Sequence, residues 1–305
     1  MRYLVTGAAG FIGSQLLRAL LERGHDATGW DAFTDYYDPA LKEENAAGLP
    51  VERIDLAEDP IELDGLDGVF HLAGQPGVAS FGGVFPVYVR QNLLASQRLF
   101  EAAAAAGVRT LFASSSSIYG DAEAYPTSEE TRPRPISPYG ITKLGAEHLG
   151  RAYAKEFGLD HVVVRYFTIY GPRQRPDMAL AKIVACLVEG RPFELHGDGT
   201  QSRSFTFVED AVEATVLSME QGSAGDVFNV GGGEEASMLD AIDILESVSG
   251  RTLELLPGPR REGDQARTLA DTSRIRERTG WKPHTPFAQG LAAQWRWAVD
   301  RVAAA

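Results

Sequence analysis

The segment Ser137-Pro138-Tyr139-Gly140-Ile141-Thr142-Lys143 places a phenol and an ammonium four residues apart. On a helix that spacing puts both groups on one face. A free phenol titrates near about pH 10, and a neighbouring cation favours its charged form. The pair therefore has the makings of a base that takes a proton from a hydroxyl group at neutral pH. The other reading of the same residues is a solvated Tyr139 beside a Lys143 paired to Glu147.

The elements that would position such a pair begin at the N-terminus. Arg2 to Val5 reads as a short apolar strand. It runs into Thr6-Gly7-Ala8-Ala9-Gly10-Phe11-Ile12-Gly13 and then a helical pattern through Leu16, Leu17, Leu20 and Leu21. Strand, glycine turn and helix together bring backbone N–H groups and a helix N-terminus against a pyrophosphate, and the missing Cβ atoms permit close approach. The spacing is G-x-x-G-x-x-G instead of the general G-x-G-x-x-G. A second strand, His25 to Trp30, ends in Asp31, where a carboxylate would bind an adenosine ribose and repel a 2′-phosphate. The expected cofactor is NAD, not NADP.

Further strands are expected to end near Asp55, at Val69-Phe70-His71-Leu72, at Thr110-Leu111-Phe112-Ala113 and at Val162-Val163-Val164-Arg165, with helices between them. That alternation predicts a parallel, doubly wound α/β sheet. The alanine run Ala102 to Ala106 closes a helix that starts near Pro86, with Gly107 as its cap. After about Thr168, Gly/Pro-rich stretches predict a smaller, loop-rich α/β domain.

Composition bounds the partners. The 305 residues are 44% hydrophobic with a net charge of −13, enough for a large core and contrary to nucleic-acid binding. No apolar run is long enough for a bilayer and no leader pattern is visible, so a cytoplasmic, membrane-free protein is expected. The single cysteine, Cys186, falls in the helical pattern Leu180 to Val188 as a core residue. The six histidines show no ligand spacing, so no metal is expected.

The glycine turn, Asp31, Asp55-Leu56, His71-Leu72-Ala73-Gly74, Ser114-Ser115-Ser116-Ser117-Ile118-Tyr119-Gly120 and Tyr139-x-x-x-Lys143 stand in the order seen in extended short-chain dehydrogenases/reductases acting on nucleotide sugars. The chain resembles that family over essentially its whole length. The resemblance implies a Rossmann-like NAD-binding domain of residues 1–167 plus about 205–230. It implies a UDP-sugar-binding domain of 168–204 and 231–305. It also implies tightly held NAD and a homodimer through the helices before Gly107 and after Tyr139.

By position in that family, Gly7, Gly10, Phe11, Ile12, Gly13, Asp31, Asp55, Leu56, Leu72, Ala73 and Tyr166 contact the cofactor. Tyr139 and Lys143 contact it too, with Tyr139 as base and Ser115 orienting the same sugar hydroxyl. Gly197-Asp198-Gly199 leading to Arg203, and Arg260-Arg261-Glu262-Gly263-Asp264, resemble the substrate motifs: Arg203 and Arg261 on the diphosphate, Asp264 on its ribose. Guanidinium forks suit phosphate oxygens.

The shared family step gives a 4-keto sugar, which is then re-reduced from the other face, dehydrated or decarboxylated. The dehydratases carry Asp-Glu, and the decarboxylases usually a Glu, where this chain has Ser116 and Ser117; both eliminating readings lose their acid. The stretch Asp35 to Lys42, the run Gln75-Pro76-Gly77-Val78, and Arg165 to Pro172 with Arg175-Pro176-Asp177-Met178-Ala179 resemble UDP-glucuronate 4-epimerases. UDP-glucose 4-epimerases usually have Asn at the Thr168 position.

A uronate oxidised at C4 is a β-keto acid. Holding its carboxylate through Ser116, Ser117, Thr168 and Arg175 would keep the C5–C6 bond out of line with the carbonyl π system. Arg175 has a second available partner, Asp177. Arg173-Gln174 in place of the frequent Trp-Gly, and Gly74 in place of Ala, depart from the uronate pattern. The expected activity is NAD-dependent 4-epimerisation of UDP-glucuronate to UDP-galacturonate, with UDP-glucose/UDP-galactose 4-epimerisation next. UDP-glucuronate decarboxylation and a catalytically idle NAD-binding protein come after these.

Overall fold

The computed structural model describes residues 1–77, 82–259 and 267–304. Its strands are β1 (Arg2–Thr6), β2 (Asp26–Asp31), β3 (Val51–Arg53), β4 (Gly68–His71), β5 (Arg109–Ser115), β6 (His161–Tyr166), β7 (Thr168–Tyr170), β8 (Phe193–His196), β9 (Ser202–Phe207), β10 (Val227–Val230), β11 (Glu235–Ser237), β12 (Leu255–Gly258) and β13 (Arg267–Thr268). Seven of them form one parallel sheet in the order β3-β2-β1-β4-β5-β6-β10. Strand order reverses between β1 and β4, which opens a crevice at the carboxyl ends of the strands.

β4 and β6 are buried along their whole lengths, as expected of parallel strands covered on both faces. The helices are α1 (Phe11–Glu22), α2 (Pro39–Ala46), α3 (Phe85–Tyr88), α4 (Ala95–Ala106), α5 (Pro138–Phe157), α6 (Ala179–Glu189), α7 (Val208–Gln221), α8 (Met238–Ser249), α9 (Ser273–Thr279) and α10 (Phe287–Ala304). Leu16, Leu17 and Leu20 of α1 share one core with Ala211, Val212 and Val216 of α7. Leu99, Phe100 and Ala103 of α4 share the other with Ala146 of α5.

The helix expected from Pro86 to Ala106 is interrupted: a π-helical segment, Val89–Leu94, separates α3 from α4. Gly107 caps it in the left-handed region at φ 66°. The strand expected to end near Asp55 is only three residues long and stops at Arg53.

β7, β9, β11 and β13 make a smaller sheet, and β8 pairs with β12. Phe167 alone separates β6 from β7, β9 runs directly into α7, and four residues separate β10 from β11. Side chains add ties: Gln15 Nε2 donates to Pro172 O at 3.0 Å, and Arg173 Nη1 to Asn45 Oδ1 at 3.1 Å. Cys186 is buried in α6, as expected. No described helix is long and apolar enough to cross a membrane.

Candidate active site

The glycine turn holds the end of β1 against the loop after β4. Gly7 sits at φ +72°, and a Cβ there would stand 2.8 Å from Ala73 N. A Cβ on Gly13 would overlap the Gly7 carbonyl oxygen. Gly7 and Gly13 therefore tolerate no side chain, which lets the backbone at the start of α1 pack close to the crevice. Asp31 anchors the next loop: its Oδ2 accepts from Ala9 N at 3.0 Å and its Oδ1 from Phe33 N at 2.7 Å.

These residues line a cavity of about 190 Å³. Gly7, Gly10, Phe11, Ile12 and Gly13 border it at the turn, Asp31 at the end of β2, Leu56 beyond β3, and Leu72 and Ala73 beyond β4. Tyr139, Lys143 and Tyr166 complete it. A dinucleotide fits this donor set: a glycine-rich turn and helix N-terminus for the pyrophosphate and a buried carboxylate for a ribose.

Asp55 stands apart from the lining residues. Its carboxylate takes Arg90 Nη2 at 2.8 Å and Ala57 N at 2.9 Å. Lys42, the last residue of the Asp35 to Lys42 stretch, also lines the cavity; its Nζ donates to Thr34 Oγ1 at 2.9 Å and lies 5.0 Å from the Tyr37 ring centre.

Helix α5 delivers the proton-transfer pair. Ser137 caps it by accepting from Gly140 N at 3.1 Å, and Pro138 opens its first turn. Lys143 is buried, and its Nζ donates to Ala113 O on β5 at 2.8 Å. Burial lowers its pKa to about 8, while the Glu147 charge acts the other way. Glu147 itself is held by Arg165, Nε to Oε1 at 3.0 Å and Nη2 to Oε2 at 2.8 Å. The Lys143–Glu147 pairing is thus displaced.

The expected lowering of the Tyr139 pKa is corrected. Burial raises it above the ordinary phenol value, and the opposing groups are the Ser115 hydroxyl, through a hydrogen bond, and the Arg175 charge. The fourfold spacing does put both side chains at one cavity, but the ammonium turns to the β5 carbonyl. Ser115 is fixed from its own side by Ser117 N, which donates to its Oγ at 3.1 Å.

Asn92, on the π-helical segment, was not singled out by any sequence pattern. Its Nδ2 donates to Gln75 O at 3.1 Å and Thr142 Oγ1 at 3.0 Å, and its Oδ1 accepts from Gln75 N at 2.7 Å. A Cβ on Gly74 would stand 2.8 Å from that Oδ1 and 3.2 Å from Lys143 Nζ. The Gly in place of Ala makes room for this packing.

A second cavity of about 480 Å³ shares Tyr139, Tyr166 and Arg175 with the first. Ser115, Ser116, Ser117, Thr168 and Arg203 line it. Arg175 forks onto Asp177, Nε to Oδ1 at 3.0 Å and Nη2 to Oδ2 at 3.1 Å. Arg203 Nη1 donates to Ser202 O at 2.8 Å. Arg261 and Asp264 lie outside the described residues. Two buried hydroxyls that line this cavity, Ser114 Oγ and Thr268 Oγ1, have no hydrogen-bond partner among the described residues, a mark of a site shaped for a polar ligand.

The Arg173-Gln174 departure is accounted for by packing. Arg173 adopts φ 65° and reaches Asn45, while buried Gln174 donates to Ile169 O at 3.1 Å and accepts from Gln294 Nε2 at 2.8 Å. Among the described residues no group of His, Cys, Asp and Glu is arranged to hold a metal.

Known proteins match nearly the whole chain. An uncharacterized UDP-glucose epimerase from Bacillus subtilis is 39% identical over 303 residues, 95% of this chain and 96% of that protein. The UDP-glucuronate 4-epimerase of Thermodesulfobacterium geofontis is 34% identical, covering 98% and 97%. The crystal structure of UDP-glucuronic acid 4-epimerase from Bacillus cereus, in complex with UDP-glucuronic acid and NAD, superposes with a TM-score of 0.94 at 37% identity, covering 99% of this chain and 100% of that one. Residues 3–231 match the family model described as the NAD dependent epimerase/dehydratase family. This chain belongs to the NAD dependent epimerase/dehydratase family.

Proposed function

We propose that this enzyme interconverts UDP-glucuronate and UDP-galacturonate by inverting sugar C4, without loss of carbon dioxide. The observation that carries the reading is Arg175, a cation that borders both cavities and bears electrostatically on Tyr139. Its place suits the carboxylate of a sugar whose C4 hydroxyl faces the base.

The glycine turn would hold the NAD pyrophosphate, Asp31 the adenosine ribose and Lys143 the nicotinamide ribose. Bound NAD supplies the electron acceptor and donor for C4 and a ring charge that favours the phenolate. Tyr139 Oη removes the C4 hydroxyl proton and later returns it, while Ser115 holds the hydroxyl in line. Ser116 and Ser117 offer no acid for elimination. With Thr168 and Arg175 they fix the carboxylate, so the C5–C6 bond stays out of conjugation with the C4 carbonyl. Arg203, lining the sugar cavity, anchors the diphosphate.

A second reading, 4-epimerisation of UDP-glucose, draws on Asp177, which already satisfies Arg175 and leaves a neutral sugar no charge to meet. NAD-loaded enzyme given UDP-glucuronate and followed by NMR should form UDP-galacturonate and no UDP-pentose. Arg175→Ala should weaken UDP-glucuronate binding about tenfold while UDP binding changes less than about twofold. Turnover of UDP-glucose alone would overturn the uronate reading.

The assembly is proposed to be a homodimer. Val87, Leu94 and Ile141, at 41%, 44% and 51% exposure, leave apolar side chains in water along the α3 to α4 segment and α5. Light scattering should give about twice the 33.0 kDa chain mass; a single-chain mass at micromolar concentration refutes it.

A further inference from the structure

Asp177 lies in the sugar cavity with both oxygens on the Arg175 fork. A third contact holds it there: Tyr36 Oη donates to Asp177 Oδ2 at 3.2 Å. Tyr36 comes from the loop beyond Asp31 and lines the cofactor cavity, so this carboxylate is held from two separate parts of the chain. Burial pushes the Asp177 pKa up, but the Arg175 guanidinium and the Tyr36 hydroxyl outweigh it and leave the carboxyl below its usual range. Tyr36 is raised to about 12, chiefly by burial, and remains a donor. The pair is therefore ionised across the neutral range.

A guanidinium presents one fork of this geometry per edge, and a carboxylate fills it. The chain itself fills the Arg175 fork with the kind of group that a uronate would bring.

We infer that Asp177 is an internal stand-in for the substrate carboxylate, and that preference for uronates over neutral hexoses is set by exchange of Arg175 between the two. This rests on the uronate reading above. A uronate gains only the difference between two carboxylate pairs, while a neutral sugar leaves the Arg175–Asp177 pair whole and neither gains nor loses by it. Asp177 thus keeps the Arg175 charge compensated when no sugar is bound, at the expense of affinity for the acidic substrate.

The test is calorimetry on NAD-loaded protein with UDP-glucuronate, UDP-glucose and UDP. Asp177→Asn keeps the shape and removes the competing charge. It should bind UDP-glucuronate about tenfold more tightly, with UDP-glucose and UDP within about twofold of wild type. In an Arg175→Ala background the same substitution should produce no gain. Asp177→Ala, which asks less of the packing, should repeat the pattern where the Asn variant does not fold.

Weaker UDP-glucuronate binding by Asp177→Asn would mean that Asp177 merely orients Arg175, and parallel changes for all three ligands would mean a general effect on the site; either overturns the inference alone. A wild-type protein that turns over UDP-glucose and not UDP-glucuronate overturns the uronate reading, and the inference with it.

Discussion

Tyr139→Phe is expected to lower kcat about 10³-fold while NAD stays bound and UDP affinity changes less than about threefold. On the proposed mechanism the phenol oxygen, at the junction of the two cavities, is the proton acceptor, and the residues around it offer no substitute. Lys143 is committed to Ala113 O, Ser115 has an ordinary hydroxyl, and Arg175 cannot take a proton. The Phe ring preserves the packing of α5, so binding and chemistry separate cleanly. Steady-state kinetics and the NAD content of the purified variant check this together. Residual turnover within tenfold of wild type would remove Tyr139 as the base.

Glu147→Gln should cost about 3–5 kcal/mol of stability, because it leaves the Arg165 guanidinium buried without its counter-charge. Both side chains are less than one-tenth exposed, and Arg165 also donates to Tyr119 Oη at 2.8 Å. For a chain of this length the loss corresponds to about 5–8 °C in Tm, readable by thermal unfolding. Replacing the two together, Glu147→Leu with Arg165→Met, should recover most of it, since the desolvation penalty of both charges then disappears. The same single substitution acts on Lys143. Glu147 is the charge that opposes desolvation there, so its loss should move the Lys143 pKa below about 8. Below its folded pKa Lys143 is charged in both folded and unfolded chains, and its burial costs stability in full. That cost fades as pH rises from the folded pKa towards about 10.4, the ordinary Lys value. In the variant the fading should begin at lower pH. A Glu147→Gln protein as stable as wild type would refute the role given to the buried pair.

What could be read from the sequence was whatever the chain keeps close to itself. The glycine turn, Asp31 and Tyr139-x-x-x-Lys143 are local patterns, and the parallel sheet follows from alternating apolar runs; all appear where expected. What escaped was set by partners far along the chain. Helical spacing predicted that Lys143 would acidify Tyr139, but the ammonium found a carbonyl thirty residues earlier and desolvation raised the phenol instead. Glu147 took Arg165, eighteen residues on, in preference to its helical neighbour. The π-helical segment that aims Asn92 has no compositional mark at all. Asp177 was visible as a possible partner of Arg175, yet only the fold shows that their pairing takes place within the sugar cavity instead of at the surface.

The backbone passes between the large sheet and the small one three times: through Phe167 alone between β6 and β7, through the helix α7 between β9 and β10, and through four residues between β10 and β11. Two short joints and one packed helix side by side behave like a door hung on more than one pin line. Neither layer can swing open without shearing the others. Inversion at C4 demands that the two faces of the sugar take turns at the same nicotinamide, and in a scaffold so braced the turning part has to be the sugar. The roughly 480 Å³ beside Tyr139 then reads as swept volume, the room a pyranose ring needs to roll over on its diphosphate tether while the protein around it holds still.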